Sequence, residues 1–205
     1  MLDERFVILG AAIASVGMLI YLRDTLRGDT QPNRVTFLLW GLAPLLAFGA
    51  EVSAGVGLRS LMTFVVGFGP LLIFFASFRN PNAVWNLQRI DYVCGALSVA
   101  GLVAWILTRH GTVAIAAAIA ADALAAAPTV RKSWLAPETE TAAAYAAAAV
   151  NAAIALLTVT VWTTADVAFP LYILCVATME TILIAGRLGP RLRARRAKAA
   201  LLAEA

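Results

Sequence analysis

Two acidic residues, Asp122 and Glu180, stand inside long apolar runs of this 205-residue chain. A charged side chain at the centre of a hydrocarbon span costs about 2.5 to 3.5 kcal/mol on insertion scales, so such residues tend to line a cavity or a pathway. Asp122 precedes Arg131 by nine residues and Glu180 precedes Arg187 by seven. At a helical rise of about 1.5 Å per residue, both carboxyls lie roughly 11 to 13 Å above those charges, in one slab. Asn151 sits near the middle of the run between them, and Thr178 and Thr181 flank Glu180. The spacing predicts that the two acids face each other or a shared cavity between the fifth and seventh helices, within reach of Asn151, share a proton and titrate as a unit, which is the chemistry of a proton-coupled carrier. The competing reading has both acids as hydrogen-bonding glue between helices. Glu51 and Asp91, at the ends of apolar runs, are expected to be solvated.

A second set of candidates comes from a repeat. Thr30 to Trp40 reads TQPNRVTFLLW, and 105 positions later Pro137, Thr141 and Tyr145 keep the spacing of Pro32, Thr36 and Trp40. Positions four and eight after the proline share a helical face, so each copy is expected to set a hydroxyl and an aromatic ring on one side of a helix. Thr36, Trp40, Thr141 and Tyr145 are therefore candidate substrate-binding residues, with Trp40 either closing a solute pathway or anchoring at an interface. A duplicated unit of this length is the ground plan of a small transporter with its site between the halves.

The elements that would position these residues are set by composition. The chain is 61% hydrophobic and 14% charged, with mean hydropathy +0.83, which points to an integral membrane protein rather than a soluble domain. Seven apolar runs of spanning length are expected to be helical: Phe6–Leu22, Val35–Ala50, Leu61–Phe78, Tyr92–Leu107, Thr112–Ala127, Ala142–Trp162 and Val167–Gly186. Pro44 and Pro70 are expected as hinges within helices, and Pro128 as the hinge that ends the fifth. The fold class is all-α and polytopic, with seven transmembrane helices in a 3+1+3 arrangement. Residues 1–78 form the first triple, 79–111 the connector with the fourth helix, 112–187 the second triple, and 188–205 a basic tail.

Seven spans place the termini on opposite sides. Thirteen of the sixteen Lys and Arg residues fall on the C-terminal side, leaving Arg5, Arg59 and Arg109 opposite. The positive-inside rule then puts the N-terminus outside and the C-terminus in the cytoplasm, in the plasma or inner membrane if the source is prokaryotic. The tail, Arg191 to Lys198, suits anionic lipid. No nucleic-acid motif appears. Cys94 and Cys175 lie in apolar runs and read as packing residues. Only Lys132 and Lys198 are present, both outside the seven runs, so an intramembrane Schiff base is excluded; no metal spacing, cofactor motif or nucleophile elbow is found, and an enzyme is not expected. The alanine-rich fifth helix suits either close packing within the monomer or a homo-oligomer face.

Ala127, Pro128, Thr129, Lys132 and Ser133 resemble the second of the paired proline-bearing motifs of the PQ-loop and SWEET superfamily of seven-helix transporters, to which the KDEL receptor is structurally similar. Thr replaces the usual Gln there; in the first triple Tyr21, Leu22, Arg23 and Thr25 occupy the comparable place with no proline, and Gly28, Thr30, Pro32 and Asn33 look like the stretch that follows it. The third helix carries no asparagine and the seventh offers Glu180 instead, a departure from the sugar carriers. The resemblance implies a secondary transporter or facilitator of a small polar solute, or a receptor or assembly subunit on the same fold.

Overall fold

A computed structural model describes residues 2–53, 57–108, 111–160, 162 and 164–203. The turn at Gly55, together with Arg109 and His110, lies outside the described residues, as do the side chains of Glu51 and Trp105. Among the described residues the chain is all-helical, with eight α-helices and no strand: α1 (Phe6–Arg27), α2 (Arg34–Ser53), α3 (Ser60–Ala76), α4 (Arg89–Thr108), α5 (Gly111–Leu135), α6 (Ala142–Thr158), α7 (Thr164–Gly186) and α8 (Leu188–Ala203). Two of these, Phe6–Arg27 and Val167–Gly186, combine the length and apolarity needed to cross a membrane, while Arg34–Leu45, Ser60–Ala76 and Ala142–Thr158 are apolar but shorter.

The helix ends follow from local chemistry. Gly28 takes a φ of 85° and turns its N–H onto the carbonyls of Asp24 and Thr25, closing α1 where a side chain would strain the left-handed backbone. Asn33 opens α2: its Oδ1 accepts from the N–H groups of Val35 and Thr36 at 3.0 and 3.2 Å. The second copy of the repeat starts differently. Pro137 begins a short 3-10 turn, Pro137–Thr139, and Thr141 takes the N-cap position of α6 instead of lying within it.

Pro128 does not end α5; the helix runs on to Leu135. Proline removes one intrahelical donor and disturbs the carbonyls just before it, and such positions survive where another group satisfies the freed acceptor. The freed acceptor is the Leu124 carbonyl; one residue on, Thr36 Oγ1 donates to the Ala125 carbonyl at 2.8 Å and ties α5 to α2 just before the proline. Pro44 and Pro70 likewise lie inside helices, as does Pro170 in α7, a proline not marked as a hinge from sequence. At the other extreme α6 stops at Thr158, short of Trp162.

In the packing, α1 lies against α3 and α6, α2 against α3 and α5, and α7 against α5 and α6, with α4 resting on α5 and α2. The first three helices therefore pack among themselves as α5, α6 and α7 do, and the α1–α6 contact has its counterpart in α2–α5. The α1–α6 approach is close: a Cβ on Gly17 would stand 2.5 Å from the Ala147 Cβ and 3.2 Å from the Ala143 carbonyl oxygen.

The basic segment expected as a tail is the helix α8. The chain turns into it at Arg187, whose φ of 48° makes it the one non-glycine with positive φ among the described residues. Arg193 then reaches back to the C-terminus of α5, donating to the carbonyls of Trp134 at 3.3 Å and Leu135 at 3.0 Å. Those carbonyls have no intrahelical partner, and a cation at a helix C-terminus is worth about 0.3 to 1 kcal/mol. Arg193→Ala is expected to lower stability by about that amount, and thermal unfolding in detergent with no loss at all would show the contact to be idle.

Candidate functional site

The chemistry-bearing residues fall into two layers, one a cavity and the other a buried ion cluster. The cavity, about 80 Å³, lies where α1, α2, α3, α5, α6 and α7 meet. Its walls are apolar and aromatic, and among the described residues Asp122 is the one charged residue on them. The Tyr172 hydroxyl on α7 donates to Asp122 Oδ2 at 2.7 Å, and the Trp40 indole faces the same carboxyl without closing a hydrogen bond. Four rings at this level touch in a closed circuit. Centroid separations are 5.0 Å from Tyr21 to Phe37, 5.7 Å from Phe37 to Trp40, 6.4 Å from Trp40 to Tyr145, and 6.4 Å from Tyr145 back to Tyr21. Trp40 and Tyr145, the paired aromatics of the repeat, thus meet at the junction of the two triples.

Beyond the rings lies the ion cluster. The hydroxyls of Tyr21 and Tyr145 converge on one oxygen, donating to Glu140 Oε2 at 2.7 and 2.9 Å. The other Glu140 oxygen is ion-paired with Lys132, whose ammonium also donates to the Gln31 carbonyl and sits 5.6 Å from the centroid of the Trp85 ring. Both side chains of the pair are fully buried. Lys132 is therefore not a solvated flank of a helix, as its place outside the apolar runs suggests; continuation of α5 past Pro128 carries it into the interior. Glu180 is also fully buried beside this pair, with Ser133 facing it, and neither of its oxygens has a hydrogen-bond partner among the described residues.

Compared with family models, curated proteins and solved structures, the chain matches none of them. The site is thus read from its own geometry.

Asp122 and Glu180 do not face each other. Tyr172 and not Glu180 meets Asp122, and Tyr172 precedes Glu180 by eight residues along α7, or about 12 Å. Levelling Asp122 and Glu180 by counting to Arg131 and Arg187 fails because α5 continues past Arg131 to Leu135, whereas α7 ends at Gly186, just before Arg187. Asn151 belongs to neither layer; it is buried where α6 crosses α1, and a Cβ on Gly10 would stand 2.6 Å from its Oδ1. Thr36 and Thr141 are buried, but each bonds across to the opposite triple, Thr36 to Ala125 and Thr141 to Asp24 Oδ2 at 2.8 Å. They brace helices and do not line the cavity.

Asp91 is not solvated at its helix end. It is 1% exposed and accepts from Asn33 Nδ2 at 2.7 Å and from the backbone N–H of Gln88. The partners absent from the sequence-derived set are Glu140, Tyr172 and Phe37. Tyr21 and Lys132 do fall in the two motif-like stretches, but nothing in the spacing shows that they converge on Glu140, which is 119 residues from Tyr21.

Proposed function

We propose that the chain is an integral membrane carrier, a transporter or facilitator that moves a small solute through the cavity at Asp122. The observation that carries this reading is the position of that cavity, at the junction of two helix triples with like packing and with Asp122 on its wall. In this reading α1 to α7 span the membrane seven times in the 3+1+3 plan. Their lengths, from 17 residues in α3 and α6 to 25 in α5, fall within the range that spans hydrocarbon, about 17 to 25. Outward-facing Leu9, Val16 and Leu19 on α1, Phe75 on α3, Val93 and Leu97 on α4, and Ile182 on α7 fit a lipid-facing surface better than a watery one.

The N-terminus is outside and the C-terminus cytoplasmic, by the bias of Lys and Arg. Membership in the PQ-loop and SWEET superfamily goes with this plan, and an inner membrane location follows if the source is prokaryotic. On α8, the exposed Arg191, Arg195, Arg196 and Lys198 are suited to anionic lipid headgroups. Proton coupling, if the carrier has it, rests on Asp122, the acid on the cavity wall; Glu180 lies in the ion cluster beyond the rings.

Purified protein reconstituted in liposomes is expected to take up a labelled solute down its gradient, and to lose that uptake on Asp122→Asn. Ligand binding without flux would favour the receptor reading of the same fold. Flux insensitive to Asp122 would remove the cavity from the mechanism.

A further inference from the structure

The cavity carries more information than its position. We infer that its ligand is a small organic cation, a primary amine or quaternary ammonium, bound with its charge between Asp122 and the aromatic circuit; the inference takes the cavity to be the solute site, as the proposed function does. Charge comes first. Among the described residues no Lys, Arg or His lines the cavity, and the buried Lys132 on the far side of the rings is already paired with Glu140. An anion entering would meet one carboxyl and no counter-charge. A cation would find the carboxyl and leave the pair neutral, removing the cost of holding a lone charge away from water.

Hydrogen-bonding capacity narrows the class further. A polyhydroxylated solute needs a donor or acceptor for each group it strips of water, and among the described residues the wall offers few, chiefly the unpartnered Trp40 indole N–H and the Asp122 carboxyl. The hydroxyls of Tyr21 and Tyr145 are committed to Glu140, and that of Tyr172 to Asp122. What remains is mostly apolar surface and ring. Aromatic faces attract a cation within about 6 Å of the ring centroid, most strongly at Trp, and do so better where water is excluded. Tyr21, Phe37, Trp40 and Tyr145 provide four contiguous rings beside the carboxyl. Tyr172 holds the carboxyl in place from α7, so the acceptor is fixed before the ligand arrives.

Binding to the purified full chain in detergent, measured by calorimetry, tests this with choline and ethanolamine as probes, against the neutral carbon isostere of choline and against glucose. Choline or ethanolamine is expected to bind, and the neutral isostere to bind weaker than choline by about tenfold or more. Asp122→Asn keeps an acceptor for the Tyr172 hydroxyl and is expected to weaken cation binding by a similar factor, with its ligand-free unfolding temperature unchanged. Equal affinity for choline and its isostere would overturn the inference, as would binding of glucose with neither cation bound, or no binding of either cation. The carrier reading fails separately: cation binding with no flux in liposomes removes transport and keeps the ligand class, whereas flux of a neutral or anionic solute without cation binding does the reverse.

Discussion

Lys132→Met is expected to lower stability by roughly 3 to 5 kcal/mol, the usual result of removing one partner from a buried ion pair. The Lys132 ammonium is fully buried and neutralises Glu140, and it also acts on Glu180 from close by. Without it two carboxyls share a dry layer, and the Gln31 carbonyl loses its donor. The loss comes from the charges left behind more than from the attraction removed, so Lys132→Met combined with Glu140→Gln is expected to recover part of it. The amide that replaces the Glu140 carboxylate would keep a carbonyl oxygen for the two tyrosine hydroxyls. Thermal unfolding in detergent checks both variants; an unchanged midpoint in Lys132→Met would mean that the pair is not buried as described.

Gly17→Ala is expected to destabilise by about 1 to 3 kcal/mol, although alanine is the better helix former and would help an exposed position. The added methyl would stand 2.5 Å from the Ala147 Cβ and 3.2 Å from the backbone of α6, and a backbone cannot step aside as a long side chain can. The helices would have to separate, and Tyr21 and Tyr145, carried on those two helices, would lose register over Glu140. Gly17→Ala with Ala147→Gly removes the shortest contact and is expected to recover most of the loss. If Gly17→Ala unfolds at or above the temperature of the parent, α1 and α6 do not approach as closely as this.

Apolar periodicity placed helices well because it depends only on local composition, and each of the seven apolar runs falls on one of α1 to α7. Helix ends were harder to read. Pro128 looks like a stop, yet α5 runs on to Leu135, held there by packing that local sequence does not report, such as the bond from Thr36, 92 positions earlier, to the Ala125 carbonyl. That one misplacement accounts for two others. It leaves Lys132 looking solvated, and it levels Asp122 with Glu180 when they lie in different layers. Thr36, Trp40 and Tyr145 were legible as special, but their partners were not, since spacing reports which residues share a face and says nothing of what that face meets. Phe37 and Tyr172 are ordinary aromatics in apolar runs until the fold brings them beside Trp40 and Asp122.

The order in which the ion cluster can assemble follows from where its members lie along the chain. Lys132 and Glu140 are eight residues apart, on either side of the turn between α5 and α6, so the charge pair closes within a single helical hairpin. During synthesis the lysine therefore emerges with its counter-ion eight residues behind it, and Glu140 emerges 40 residues ahead of Glu180. Tyr21 is already present by then and needs only to receive the hairpin against α1. Glu180 arrives last, into a layer whose lysine is already taken. The lysine thus has a counter-ion within its own hairpin, and the carboxyl left without a hydrogen-bond partner among the described residues is the last of the cluster along the chain.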